Sequence, residues 1–199
     1  MDDEPATEIL EATYRALCDN GYADLTLQDI AAEADVSKAS IHYHYECKDQ
    51  LFIAFLDLLY ERYTDRLDEL AGDTPRERLD SLLELLLTDG DGSLHGEFRT
   101  AMLEVNAQAP YDAAVRERLA DFDEYLHERL RAILVAGVEA GEFDDGVEPS
   151  LAAEFLVTAI RGAHTRQVAV GHSPDRLYAT MTRYAERQLF AGDGTEVAP

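Results

Sequence analysis

Between Lys38 and Lys48 the segment KASIHYHYECK gathers two ammonium groups, one hydroxyl, two imidazoles, two phenols and a thiol. Several chemistries are open to such a set. His42 and His44 suggest a metal, but residues two apart on a helix point in different directions, and no third ligand lies nearby in sequence. Cys47 stands next to Lys48, the setting of a reactive thiol, so a redox switch there remains open. Cys18 lies beside an apolar stripe and reads as a small buried hydrophobe. No nucleophile, base and orienter occur at usable spacing, nor does a phosphate-binding loop, so the segment does not predict an enzyme or a cofactor site. Hydrogen-bonding recognition is left. Lys38 can reach a phosphate or a guanine edge, Ser40 a base or the backbone, and Ala39 offers an apolar surface to a thymine methyl.

Those side chains need a scaffold that presents them outward. Thr26 is placed to cap a short helix whose Ile30, Ala31 and Ala34 share one face. Asp35 breaks the pattern, Val36 supplies a buried plug, and Ser37 can cap a second short helix beginning at Lys38. Two short helices joined by a three- or four-residue turn form a helix-turn-helix, whose second helix enters a DNA major groove. Ile41 and Tyr45 are four apart and face inward, which turns His42 and Tyr43 outward. Thr26 and Gln28, at the start of the first short helix, are expected to touch phosphate through the helix dipole and a side-chain amide.

The run Thr26, Ile30-Ala31, Ala34, Val36-Ser37, Ile41, His44-Tyr45, Lys48 and Leu51 resembles the amino-terminal signature of the TetR family of transcriptional regulators. The resemblance implies an all-α protein in which His42, Tyr43, His44 and Lys48 occupy positions that grip the DNA backbone or base edges. The candidate contact set is therefore Thr26, Gln28, Ser37, Lys38, Ala39, Ser40, His42, Tyr43, His44 and Lys48. Three positions depart from the family pattern. Asp35 stands where Gly is common in the turn, Ala39 where Gly is frequent, and His42 where many members carry Tyr. Asp tolerates a left-handed backbone better than most residues, so the turn survives.

Charge argues the other way. Asp and Glu total 41 against 17 Lys and Arg, a net charge of -24, whereas nucleic-acid binders ordinarily neutralise phosphates with an excess of cations. The acids are spread over every expected helix surface, a pattern that fits a halophilic protein in a salt-rich cytoplasm, where the Debye length falls to about 3 Å at 1 M. Binding would then lean on short-range hydrogen bonds and shape. A competing reading is an acidic helical interaction module that has lost its DNA surface. The start MDDEPATEIL lacks a signal peptide's basic and apolar regions, and no stretch approaches the roughly 20 apolar residues of a membrane span. A cytoplasmic location is expected.

With 199 residues, 46% of them hydrophobic, the chain can bury a sizeable core. Periodicity predicts about nine helices: 4–20, the two short ones, 48–70, 76–88, 95–107, 112–140, 150–170 and 174–190. The segment 89–93 is a loop too poor in ligands for calcium. We expect a helix-turn-helix DNA-binding domain over 1–47, a helical ligand-binding and dimerisation domain over 48–192, and a frayed tail over 193–199. Small and large apolar residues on the last two helices predict a homodimer interface from Ala159, Gly162, Ala163, Val170, Leu177, Tyr178, Met181 and Tyr184. Phe98, Met102, Phe122, Tyr125, Leu126, Phe155, Arg161 and His164 combine apolar surface with a few polar groups, as pockets do. The expected protein is a repressor that binds double-stranded operator DNA as a homodimer and is released by a small-molecule effector; a redox-responsive regulator working through Cys47 is the alternative.

Overall fold

The computed structural model describes residues 4–88 and 96–190, so the expected loop at 89–93 and the tail at 193–199 lie outside the described residues. The described residues form α1 Glu4–Asp24, α2 Leu27–Glu33, α3 Lys38–His44, α4 Lys48–Asp68, α5 Pro75–Leu87, α6 Gly96–Gln108, α7 Ala113–Glu139, α8 Pro149–Val170 and α9 Pro174–Leu189. They divide into two compact units, one of Met1–Asp65 with His95–Phe122, the other of Arg66–Leu94 with Asp123–Pro199.

In the first unit α1 buries the face that its periodicity dictates. Ile9, Ala12, Ala16 and Leu17 are inaccessible, and buried Thr13 donates its hydroxyl to the Ile9 carbonyl at 2.8 Å. The helical hydrogen-bond pattern is drawn to Asp24, yet Gly21 has φ 73° and ψ 168°, so the regular helix stops there. Only glycine enters that backbone region without strain. Cys18 is half-buried. From α4 the unit takes Leu51, Phe52, Phe55 and Leu56 as core, and α6 packs along α1.

The second unit is built on the leucine stripe of α5. Thr74 caps that helix with Glu77 in a reciprocal capping box, Pro75 occupies its first turn, and Leu79, Leu82, Leu83, Leu86 and Leu87 are buried. α8 and α9 pack against it. The turn after α7 contains a feature that periodicity does not predict, an isolated antiparallel bridge between Phe143 and Phe190. Asp144 N–H donates to the Leu189 carbonyl at 2.8 Å. This pairing closes the end of α9 onto the turn.

Candidate nucleic-acid interface

α2 and α3 are too short to be stable alone, so local caps and one buried plug must hold them. Thr26 Oγ1 accepts the Gln28 and Asp29 N–H groups at 3.2 and 3.3 Å, and its hydroxyl donates to Asp29 Oδ2 at 2.6 Å. The Asp29 carboxylate also accepts the Thr26 N–H, which completes a capping box. Its pKa is held below the usual carboxylate range, first by the Thr26 hydroxyl and then by the Thr26 N–H. The Thr26 side chain is thus spent inside the fold as a cap, and an acid already occupies the start of α2. Of the two residues expected to meet phosphate there, Gln28 alone keeps an exposed side chain without such a commitment.

Asp35 carries the turn with φ 52°, the left-handed value anticipated for it, and it is the one positive-φ residue other than glycine among those described. Val36 is half-buried. Ser37 caps α3, its Oγ accepting the Ser40 N–H at 3.1 Å. Ile41 is 0% exposed, and burying a side chain of that size stabilises by roughly 1.5–3 kcal/mol. That single anchor fixes the rotation of a two-turn helix. Lys38, Ala39, Ser40 and His42 consequently point to solvent, Tyr43 is 87% exposed, and His44 is half-buried with its ring edge-on to Tyr43 at 5.1 Å. From Val36 to Tyr45 there is no acidic residue. In a chain this acidic, such a window leaves Lys38, His42 and the Tyr43 phenol as the ionisable groups of the outward face, with His44 and Tyr45 half-buried beside them.

Lys48 is placed differently from the other expected contacts. Its Nζ donates to the Tyr22 carbonyl at 3.2 Å and lies 5.0 Å from the centre of the Tyr22 ring. Burial lowers its pKa, against the raising pull of Asp49 and Asp29. Cys47 is exposed. Among the described residues no group of three or more His, Cys, Asp or Glu could hold a metal ion, and no helix is long and apolar enough to cross a membrane.

The residues expected to form a pocket fall into both units. In the first, Phe98 is buried and stacked on Tyr14 at 4.9 Å, Met102 is half-buried, and Phe122 meets Tyr60 and Tyr63, each at 5.3 Å between ring centres. In the second, Leu126 is buried, Tyr125 donates to Asp68 at 2.7 Å, Arg161 to Asp123 at 3.2 Å, and the His164 ring meets the Leu86 carbonyl at 2.7 Å. Phe155 is 48% exposed and stands 5.2 Å from the equally exposed Tyr184. Ala163 and Leu177 are a correction. Both are already buried in the single chain, so a partner subunit has little of them left to cover. Ala159, Tyr178 and Met181 are half-buried, and Tyr178 donates to Asp80 at 3.1 Å. Gly162 faces open space, and Val170 is 66% exposed. Leu151, also 66% exposed, was missed by sequence reasoning. Its signal was the spacing of four to Phe155.

A profile described as bacterial regulatory proteins of the tetR family matches residues 9–55, and one described as the C-terminal part of BetI-type transcriptional repressors matches residues 75–189. The HTH-type transcriptional repressor DhaR of Mycobacterium sp. is 27% identical over 164 residues, 79% of each chain. A TetR transcription regulator from Haloarcula marismortui superposes with a TM-score of 0.87 at 38% identity, covering 94% of this chain and 99% of the other. A transcriptional regulator from Saccharomonospora viridis, solved in complex with choline, superposes with a TM-score of 0.85 at 26% identity, covering 96% and 100%.

Proposed function

The chain belongs to the TetR family of transcriptional regulators, and from that membership we propose that it works as a homodimeric, effector-released repressor whose α3 enters the major groove of an operator. It is a DNA-binding transcriptional repressor, and the family is one of regulators, not of enzymes. The observation that carries the contact set is the outward, acid-free face of α3, with Lys38, Ala39, Ser40, His42 and Tyr43 exposed around one buried Ile41. Gln28 and Ser37 flank that face, Thr26 acts through its cap, and His44 contributes its exposed edge. Residues 1–47 serve as the DNA-meeting segment and 48–192 as the part that dimerises and takes the effector. A cytoplasmic location follows from the DNA partner.

Support for the dimer comes from Leu151, Phe155, Val170 and Tyr184, large apolar side chains left exposed on α8 and α9. The 20 residues from Phe155 to Pro174 contain no acid, which spares that stretch of a two-fold interface the apposition of carboxylates. Phe155→Glu is expected to convert the dimer to monomer by light scattering; a dimer that persists would remove this face from consideration.

For the effector, a small organic cation suits the chain. Tyr60, Tyr63 and Phe122 form an aromatic cluster, aromatic rings attract quaternary ammonium groups, and a net charge of -24 favours a cation over an anion. The test of the whole reading is fluorescence anisotropy with duplex DNA from upstream of the gene, with and without choline. A site-specific complex that persists above molar salt and weakens with choline supports it. Equal affinity for scrambled duplex would defeat the regulator reading, and indifference to choline would defeat the cation.

A further inference from the structure

The backbone of Tyr22 is held at both its N–H and its carbonyl by side chains from other helices. On one side, Glu104 of α6 presents Oε2 to the Tyr22 N–H at 2.7 Å and to the Ala23 N–H at 3.3 Å. On the other, Lys48, the first residue of α4, donates Nζ to the Tyr22 carbonyl at 3.2 Å. The Tyr22 ring packs edge-on against buried Phe52 at 4.7 Å. Gly21 makes the grip possible. Its φ of 73° turns the two following N–H groups toward one oxygen, and a Cβ there would lie 2.9 Å from the Glu104 carboxylate. Three residues beyond Ala23 comes the Thr26 cap of α2, with Leu25 between them 2% exposed. The short helices that meet DNA therefore hang from a peptide whose position is set by α6 and α4.

We propose that Glu104 is a positioning residue for DNA binding: through the Tyr22 and Ala23 N–H groups it holds the α2–α3 pair in the pose that fits a groove. This inference rests on the reading of α2 and α3 as the DNA-meeting elements. Glu104 touches no DNA in this account. A carboxylate accepting two N–H groups is a charge-assisted latch, and losing it leaves two donors to find water at a half-buried junction.

The experiment compares the full chain with Glu104→Ala, Glu104→Gln, Gly21→Ala and Lys38→Ala, following affinity for the upstream duplex across a salt series and hydrogen exchange of the Tyr22 and Ala23 amides. Glu104→Ala is expected to raise Kd about tenfold or more without changing the slope of log K against log salt, since it removes no phosphate contact. Glu104→Gln keeps an acceptor oxygen and recovers most of the affinity. Gly21→Ala strains the backbone at φ 73° as well as crowding the carboxylate, so its loss equals or exceeds that of Glu104→Ala; should Glu104→Ala not fold, the comparison of the unaltered chain with Glu104→Gln carries the test. Lys38→Ala weakens the slope by about one counterion and serves as the contrast. Unchanged affinity in Glu104→Ala, or equal losses in Glu104→Ala and Glu104→Gln, overturns the proposal. If the unaltered chain binds no duplex, the regulator reading fails, and exchange still decides the latch: unaltered exchange at Tyr22 and Ala23 in Glu104→Ala disproves it.

Discussion

Ile41 does more for the candidate interface than any residue that meets solvent on α3. Its burial orients Lys38, Ala39, Ser40, His42 and Tyr43, so its truncation damages both stability and recognition. Ile41→Ala is expected to cost about 2–5 kcal/mol, read as a shift in the denaturant midpoint together with lost operator binding. Lys38→Ala separates the two effects. An exposed lysine contributes little to the fold, so its loss should leave the midpoint within about 0.5 kcal/mol while weakening DNA binding in gel-shift titration. Parallel losses of stability and affinity in Lys38→Ala would mean that this side chain is structural. Lys48 teaches the complementary point. Its spacing matches a family position that grips DNA, and its ammonium also donates one hydrogen bond to the Tyr22 carbonyl, a partner 26 residues earlier in the chain that no local pattern announces.

Helix ends decide how the elements hold together. Thr26 and Asp29 form a reciprocal cap on a helix of seven residues, and Thr26→Ala is expected to cost about 0.5–2 kcal/mol, with Thr26→Ser restoring most of it in thermal unfolding. Because Asp29 is ionised in that cap with a lowered pKa, and Glu11 likewise through its hydrogen bond to Arg62, both stabilise the fold above the ordinary carboxylate range. Their contribution is lost as pH falls through the depressed folded values, so the difference in unfolding midpoint between the unaltered chain and Asp29→Asn should shrink on acidification below about pH 4 and change little from pH 6 to 8. A decline already complete at pH 6 would point to other groups. In the second unit Gly137 matters for contact. A Cβ there would fall 2.1 Å from the Phe143 ring, and Phe143 is itself 2% exposed and paired with Phe190. Gly137→Ala should destabilise by about 1–3 kcal/mol through overpacking, although alanine is the better helix former; a stabilised variant would show that the turn can move aside.

The charge of the chain sets its response to salt. At -24 the fold is opposed by self-repulsion that screening removes, so the midpoint of thermal unfolding is expected to rise from 0.1 M to 2 M potassium chloride. A midpoint flat or falling over that range would count against adaptation to high salt. Ion pairs such as Arg131 with Glu128 and Arg161 with Asp123 are exposed and worth little individually; their value lies in offsetting a surplus of acid.

Helix number, helix ends and the outward face of α3 could be read from the chain, because caps, glycine stops and apolar spacing of three and four act over a few residues. Asp35 in its left-handed turn and Ser37 at the start of α3 are instances, each needing only its neighbours. Contacts between distant helices could not be read in the same way. The grip of Glu104 on Tyr22 spans 82 residues, the pairing of Phe143 with Phe190 joins a turn to the last helix, and the exposure of Phe155 depends on which side of α8 the core of its unit claims. An amphipathic helix states that one face is buried, and only packing in three dimensions settles what covers it.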